Sequence, residues 1–149
     1  MYFVDRNQIS ESLNHMEVLL ELYRNEKEWQ KDIIHSLALE RIANVLIESI
    51  IDVGNSMIDG FIMRDPGSYE DIIDIMEDER VITSEMAGPL KVVIELRKMI
   101  VREFTKVDVR TIIEVLNASM DELLEFPKKV RHYLENELGP VSAFLPEEK

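Results

Sequence analysis

The stretch Trp29–Asp59, WQKDIIHSLALERIANVLIESIIDVGNSMID, decides the fold. Leu39, Ile42, Leu46, Ile50, Val53 and Met57 form one apolar row at helical spacing, and Ala43, Ile47, Ile51 and Ile58 form a second. Most of the circumference is therefore apolar, as in a central helix enclosed by others. The polar residues Arg41, Asn44, Glu48, Asp52, Asn55 and Asp59 fall along one narrow side. That side is either a solvated face or the wall of a polar cleft. In a cleft, Glu48 and Asp52 at i and i+4 would hold a divalent cation or accept an arginine from a neighbouring helix. Gly54 costs about 1 kcal/mol relative to alanine inside a helix, and its use there points to close helix packing.

On the N-terminal side, Met1–Val4 is short and apolar. Asp5 caps a helix over Arg6–Asn25, whose stripe is Ile9, Leu13, Met16, Leu20 and Tyr23. On the other side, Gly60–Ser68 is a loop with Asp65-Pro66-Gly67 turn chemistry. Its Phe61, Ile62 and Met63 are either tucked beneath the loop or part of a partner surface. Ser68 caps a short helix that turns Tyr69, Ile72, Ile73 and Met76 inward, and Thr83 is a further cap.

Leu90–Asp108, LKVVIELRKMIVREFTKVD, reads as one more helix. Leu90, Val93, Ile94, Arg97, Ile100, Val101 and Phe104 share a face, and Arg97 alone among them is charged. A guanidinium in an apolar stripe is costly unless it snorkels to water or reaches a polar cleft. Asp108 then caps a last long helix with Ile112, Val115, Leu116, Ser119, Leu123, Phe126 and Val130 inside, kinked by Pro127 near Leu123. Tyr133, Leu134 and Leu138 extend it, Gly139-Pro140 stops it, and Phe144 and Leu145 dock the tail. No segment alternates like a strand. The expectation is an all-α, up-and-down bundle of four main helices plus one short helix, forming a single domain over residues 1–149.

At 149 residues and 46% hydrophobic content, the chain can bury a substantial core. It has no cysteine, which excludes disulfide scaffolds and cysteine-ligated metals. His15, His35 and His132 lie in different segments, and Asp32 with His35 lacks the repeated Glu-x-x-His of a di-metal bundle. The five glycines are too scattered for a phosphate loop. No metal or cofactor is expected. A net charge of −13 argues against general nucleic-acid binding and confines any RNA contact to a local basic patch. The candidates are Lys91, Arg97, Lys98, Arg102 and Lys106, and then Lys128, Lys129 and Arg131. MYFVDRNQ lacks the pattern of a signal peptide and no apolar run has membrane length, so a soluble cytoplasmic protein is expected.

Several blocks, in order and spacing, resemble the HepT-like family of the HEPN superfamily. They are Glu40-Arg41, Asp52-Val53-Gly54-Asn55, Arg64-Asp65-Pro66-Gly67-Ser68-Tyr69, Val81-Ile82, Leu96-Arg97 and Val107-Asp108. The resemblance implies a small helical protein related to toxin ribonucleases of toxin–antitoxin pairs. It also implies a metal-independent site at a homodimer cleft and a nucleotidyltransferase antitoxin as partner. The family's hallmark is an arginine, four to six residues, a histidine, any residue and a tyrosine, the tyrosine being a target of modification by the antitoxin. Arg97 matches the arginine, Arg102 stands at the histidine position and Phe104 at the tyrosine position. Arginine stays charged and cannot shuttle protons as histidine does, though it can bind phosphate and stabilise negative charge. Phe104 has no hydroxyl to accept a nucleotidyl group. Arg97 and Arg102 would diverge by about 140° on a regular helix; a dimer cleft or a frayed helix end could still converge them.

The resemblance, with these departures, implies a dimeric binding or regulatory module with a weakened or lost ribonuclease site and a candidate antitoxin partner. One alternative is an active endoribonuclease using Arg97 and Arg102, with Glu103 or a partner residue as proton shuttle. The other is a structural homodimer without an RNA role.

Overall fold

A computed structural model describes residues 5–137. Met1–Val4, Leu138, Gly139-Pro140 and the tail with Phe144 and Leu145 lie outside the described residues. The fold is an all-α bundle, and the described residues contain no strand. Its helices are α1 (Arg6–Asn25), α2 (Ile33–Gly60), α3 (Tyr69–Asp78), α4 (Ser84–Arg97), α5 (Val109–Ala118) and α6 (Met120–Glu137).

Three of the four caps read from the sequence bond the helices they start, while Thr83 stands at the N-cap of α4 without a side-chain cap hydrogen bond. The carboxylate of Asp5 accepts from the Asn7 N–H at 2.8 Å, Ser68 Oγ accepts from the Asp71 N–H at 3.1 Å, and Asp108 accepts from the Arg110 N–H at 3.0 Å. The central helix begins later than its apolar pattern. Asp32 is its N-cap, accepting from the His35 N–H at 2.8 Å and lying 2.7 Å from the ring Nδ1. Trp29 sits in the preceding turn, where its ring stacks on Tyr23 at 6.0 Å between centroids.

α2 packs against α1, α3, α4 and α5, while α6 closes on α1, α4 and α5. Both apolar rows of α2 are buried, joined by Ile9, Leu13, Met16 and Leu20 of α1 and by Leu123, Phe126 and Val130 of α6. Where α2 meets α3, a Cβ on Gly54 would clash with Ile72 Cγ2 and press on Met76 Cε at 3.1 Å. Glycine is used here because the neighbouring helix comes that close. After α2, Phe61 tucks edge-on against Tyr133 at 4.8 Å and Met63 packs on the core, whereas Ile62 points out. The three loop residues thus divide between burial and exposure.

Two expected helices differ from their patterns. Leu90–Asp108 is not one helix: α4 ends at Arg97, a π-helical turn follows over Lys98–Arg102, and turns lead to Asp108. The wider turn rotates the apolar face out of phase, so Leu90, Val93 and Ile94 are buried while Val101 and Phe104 are exposed. The last expected helix is two, broken at Ser119. The buried Ser119 hydroxyl reaches the Pro89 carbonyl at 3.5 Å, a local alternative to helical bonding, and Pro127 is carried inside α6.

Candidate functional site

Arg97 closes α4 and faces the polar side of α2. Its Nε donates to Glu48 Oε1 at 2.9 Å, and its guanidinium lies over the Tyr69 ring, 4.9 Å from the centroid. Of the two uses open to Glu48 in the sequence, the structure shows the arginine of a neighbouring helix. The hydrogen bond to Glu48 holds the Arg97 guanidinium above its ordinary proton affinity, so it remains a cation. Arg97 is neither sealed in the core nor snorkelling free; it is 25% exposed and held from two sides.

The π-helical turn answers the geometric difficulty posed by five-residue spacing. The Glu103 N–H donates to the Lys98 carbonyl at 3.2 Å, an i→i+5 bond. Bonds of that period stack residues five apart, where an α-helix would splay them. Arg97 and Arg102 consequently line one cleft of about 410 Å³ with Tyr69, Glu70, Ile94, Glu95 and Lys98. Phe104 is not part of this cleft. It stands 69% exposed beyond the turn, so the structure brings together two of the three residues in the motif.

Tyr69, expected to face inward with Ile72, Ile73 and Met76, is instead 43% exposed, and spacing did not mark it as a site residue because it lies far from Arg97 in the chain. Its only signal was the Arg64-Asp65-Pro66-Gly67-Ser68-Tyr69 block. That block is rigidly built. Arg64 Nη1 and Nη2 each donate to an Asp71 carboxylate oxygen at 2.8 Å, and the Gly67 N–H donates to the same carboxylate at 2.8 Å. These donors, with the arginine first, pull the Asp71 carboxyl down to about 2.

The other basic residues separate by role. Lys91 pairs with Asp74. Arg131 is a structural clamp from α6 to α1, donating twice to Glu17 at 2.7 and 3.0 Å and once to Asn14 at 2.7 Å. Lys98, Arg102 and Lys106 make no ion pair among the described residues. Lys128 and Lys129 of the second basic cluster likewise make no ion pair among the described residues, so freedom from pairing does not by itself single out the π-helical turn. Asp52 lines a second groove of about 500 Å³ with His15, Arg41, Asn44 and Glu48, so the Arg97 partner stands between this groove and the cleft. Among the described residues, no three His, Asp or Glu side chains cluster closely enough to hold a metal ion.

Chemically, the cleft offers phosphate-binding donors and an aromatic ring. It offers no histidine, and Arg102 cannot serve as a general base. Residues 9–130 match the family described as ribonuclease HepT-like. The Bacillus subtilis (strain 168) protein named "Putative RNase YutE" is 49% identical over 144 residues, covering 97% of this chain and 99% of its own. The solved structure of the cytosolic protein YutE from Bacillus subtilis has a TM-score of 0.89 at 49% identity, covering 97% of this chain and 100% of that one. The tri-AMPylated Shewanella oneidensis HEPN toxin, solved in complex with MNT antitoxin, gives a TM-score of 0.72 at 15% identity. It covers 83% of this chain and 96% of that one, and at such identity the likeness is one of fold.

Proposed function

Because the chain belongs to the HepT-like ribonuclease family, we propose that it is a dimeric RNA-binding or regulatory module whose ribonuclease site is weakened or lost. The observation that carries this reading is the convergence of Arg97 and Arg102 on one cleft that contains no histidine. Two guanidiniums can hold a phosphodiester and offset charge that develops on it. Cleavage through a 2′-hydroxyl also needs a group that gives and takes a proton near neutral pH, and the histidine position is Arg102. Phe104, without a hydroxyl, removes the nucleotidyl acceptor at the tyrosine position.

In this proposal residues 1–149 act as one cytoplasmic domain. The single core cluster supports that reading, as does the relative described as cytosolic. Among the described residues no helix is long and apolar enough to cross a membrane. A nucleotidyltransferase antitoxin is the proposed partner, supported by the HEPN toxin of like fold that is complexed with its antitoxin. An active endoribonuclease is the second reading, favoured by the 49%-identical relative named as an RNase. Glu103, beside Arg102, is then the candidate proton shuttle.

Purified protein and an Arg97→Ala variant, incubated with single-stranded RNA and transfer RNA, separate these readings. Binding without cleavage, lost in the variant, supports the proposal. Cleavage that the variant abolishes supports the enzyme. Neither activity leaves a structural dimer, and light scattering that finds a monomer at micromolar concentration removes the dimer itself.

A further inference from the structure

Tyr69 lines two clefts. The first is the one lined by Arg97 and Arg102; the second, of about 420 Å³, is lined by Asn55, Pro66, Gly67, Ser68, Glu70 and Ile72 as well. The ring thus stands on the ridge between them. Arg97, which lines the first cleft only, lies against the ring, and 43% of Tyr69 is open to solvent. A half-exposed aromatic beside cations is the arrangement with which proteins hold single-stranded nucleic acid, bases stacking on rings and phosphates lying on cations; here Arg97 is paired with Glu48, and Lys98 and Arg102 make no ion pair among the described residues. The second cleft is of ligand-binding size. Its Asn55 amide carries both donors and an acceptor for a base edge.

The platform is preorganised. Tyr69 opens α3 directly after the Ser68 cap, and the Arg64–Asp71 fork with the Gly67 N–H fixes the turn that presents it. A ring held this way loses little freedom when a base lands on it. The first cleft sets Arg97, Lys98 and Arg102 against Glu70 and Glu95, and Glu48 pairs with Arg97 from outside the lining, so the site is close to neutral on a chain of charge −13, with Lys98 and Arg102 as its cations without an ion pair among the described residues.

We propose that Tyr69 is a stacking platform for an unpaired RNA base, seated in the cleft with Asn55 and Pro66, while Arg97, Lys98 and Arg102 hold the adjoining phosphates. The substrate class is single-stranded RNA or an unpaired loop, recognised with little base preference. This rests on the RNA-binding reading above and adds the strandedness that the arginines alone do not specify. Duplex RNA keeps its bases stacked on one another and offers none to the ring.

Fluorescence anisotropy with short oligouridine, a blunt RNA duplex and inorganic polyphosphate tests it, using wild type, Tyr69→Phe, Tyr69→Leu and Arg102→Ala. Wild type is expected to prefer oligouridine over duplex. Tyr69→Leu should weaken oligouridine binding by about five- to a hundredfold and polyphosphate binding far less, since the ring also lies against Arg97. Tyr69→Phe, which keeps the ring, should bind oligouridine as wild type does. Arg102→Ala should weaken both oligouridine and polyphosphate. Thermal melting checks that each variant is folded. If folded Tyr69→Leu binds oligouridine like wild type while Arg102→Ala does not, stacking is overturned and RNA binding stands. If Tyr69→Leu loses polyphosphate equally, the ring supports the arginines instead of a base, and the proposal fails. If wild type binds neither RNA, both readings fall.

Discussion

Asp71 and Glu48 are the two carboxylates on which the site's geometry depends. Asp71 holds the loop that presents Tyr69, and its folded-state pKa of about 2 lies below the ordinary 3.8. A carboxylate depressed in this way contributes stability that is fully present above the unfolded value and lost as pH falls toward the folded one. The melting-temperature advantage of wild type over Asp71→Asn should therefore be constant above about pH 5 and shrink steadily toward pH 2. Melts by circular dichroism across that range would show it. Glu48 acts on function more than on stability. Both it and Arg97 are partly exposed, so their pair is worth at most about 1 kcal/mol. Glu48 takes Arg97 Nε and adds a negative charge that opposes an arriving phosphate, so Glu48→Gln should raise oligouridine affinity by up to about fivefold. Anisotropy titrations measure this, and weaker binding would mean that Glu48 positions Arg97 for RNA instead of competing with it. The ion pair was legible as one of two alternatives, because the polar row on α2 offered a carboxylate and Arg97 was a cation without a partner. Tyr69 over Arg97 was not legible, because no periodicity links α3 to the end of α4.

At the scale of elements, the caps Asp5, Ser68 and Asp108 and the buried face of α2 followed from residue spacing, since helix periodicity and side-chain capping are local physics, whereas the Asp32 cap was not read and Thr83 makes no side-chain cap bond. Gly54 also announced itself, as the residue whose cost needed a packing reason. Gly54→Ala gains about 1 kcal/mol in helix propensity but drives a methyl into Ile72, whose β-branched side chain cannot rotate away cheaply. Overpacking of this kind costs about 1–3 kcal/mol, so the variant should melt lower than wild type by a few degrees. Calorimetry on the two proteins decides the sign. The breaks at Lys98–Arg102 and at Ser119 were beyond such reasoning. Both turns are selected by what surrounds them: the Met99 sulfur receives the Asp108 N–H at 3.4 Å, and Ser119 reaches the carbonyl of Pro89 on another helix. At Ser119 a contact with another helix accompanies the break, and at Lys98–Arg102 one within the same segment does.

For the whole molecule, an acidic body carries a small group of cations at the cleft. RNA binding confined to Arg97, Lys98 and Arg102 would engage about three phosphates, giving a salt slope near −2 for a single strand. Affinity should fall roughly twentyfold between 50 and 200 mM salt. A much steeper slope, measured by the same titrations, would place RNA across a broader surface. The resemblance to HEPN proteins was legible from scattered blocks because the bundle sets them at fixed places, whereas the chemistry at Arg102 and Phe104 depends on single residues. The π-helical turn bears on how such proteins diverge. It stores one residue more than an α-helical turn would need. A lineage can gain or lose a residue between the two cation positions and let that turn absorb the change, leaving the flanking helices in register. The variable spacing of the family's hallmark is then slack with a physical address, and a signature of fixed length would pass over relatives whose clefts are built alike.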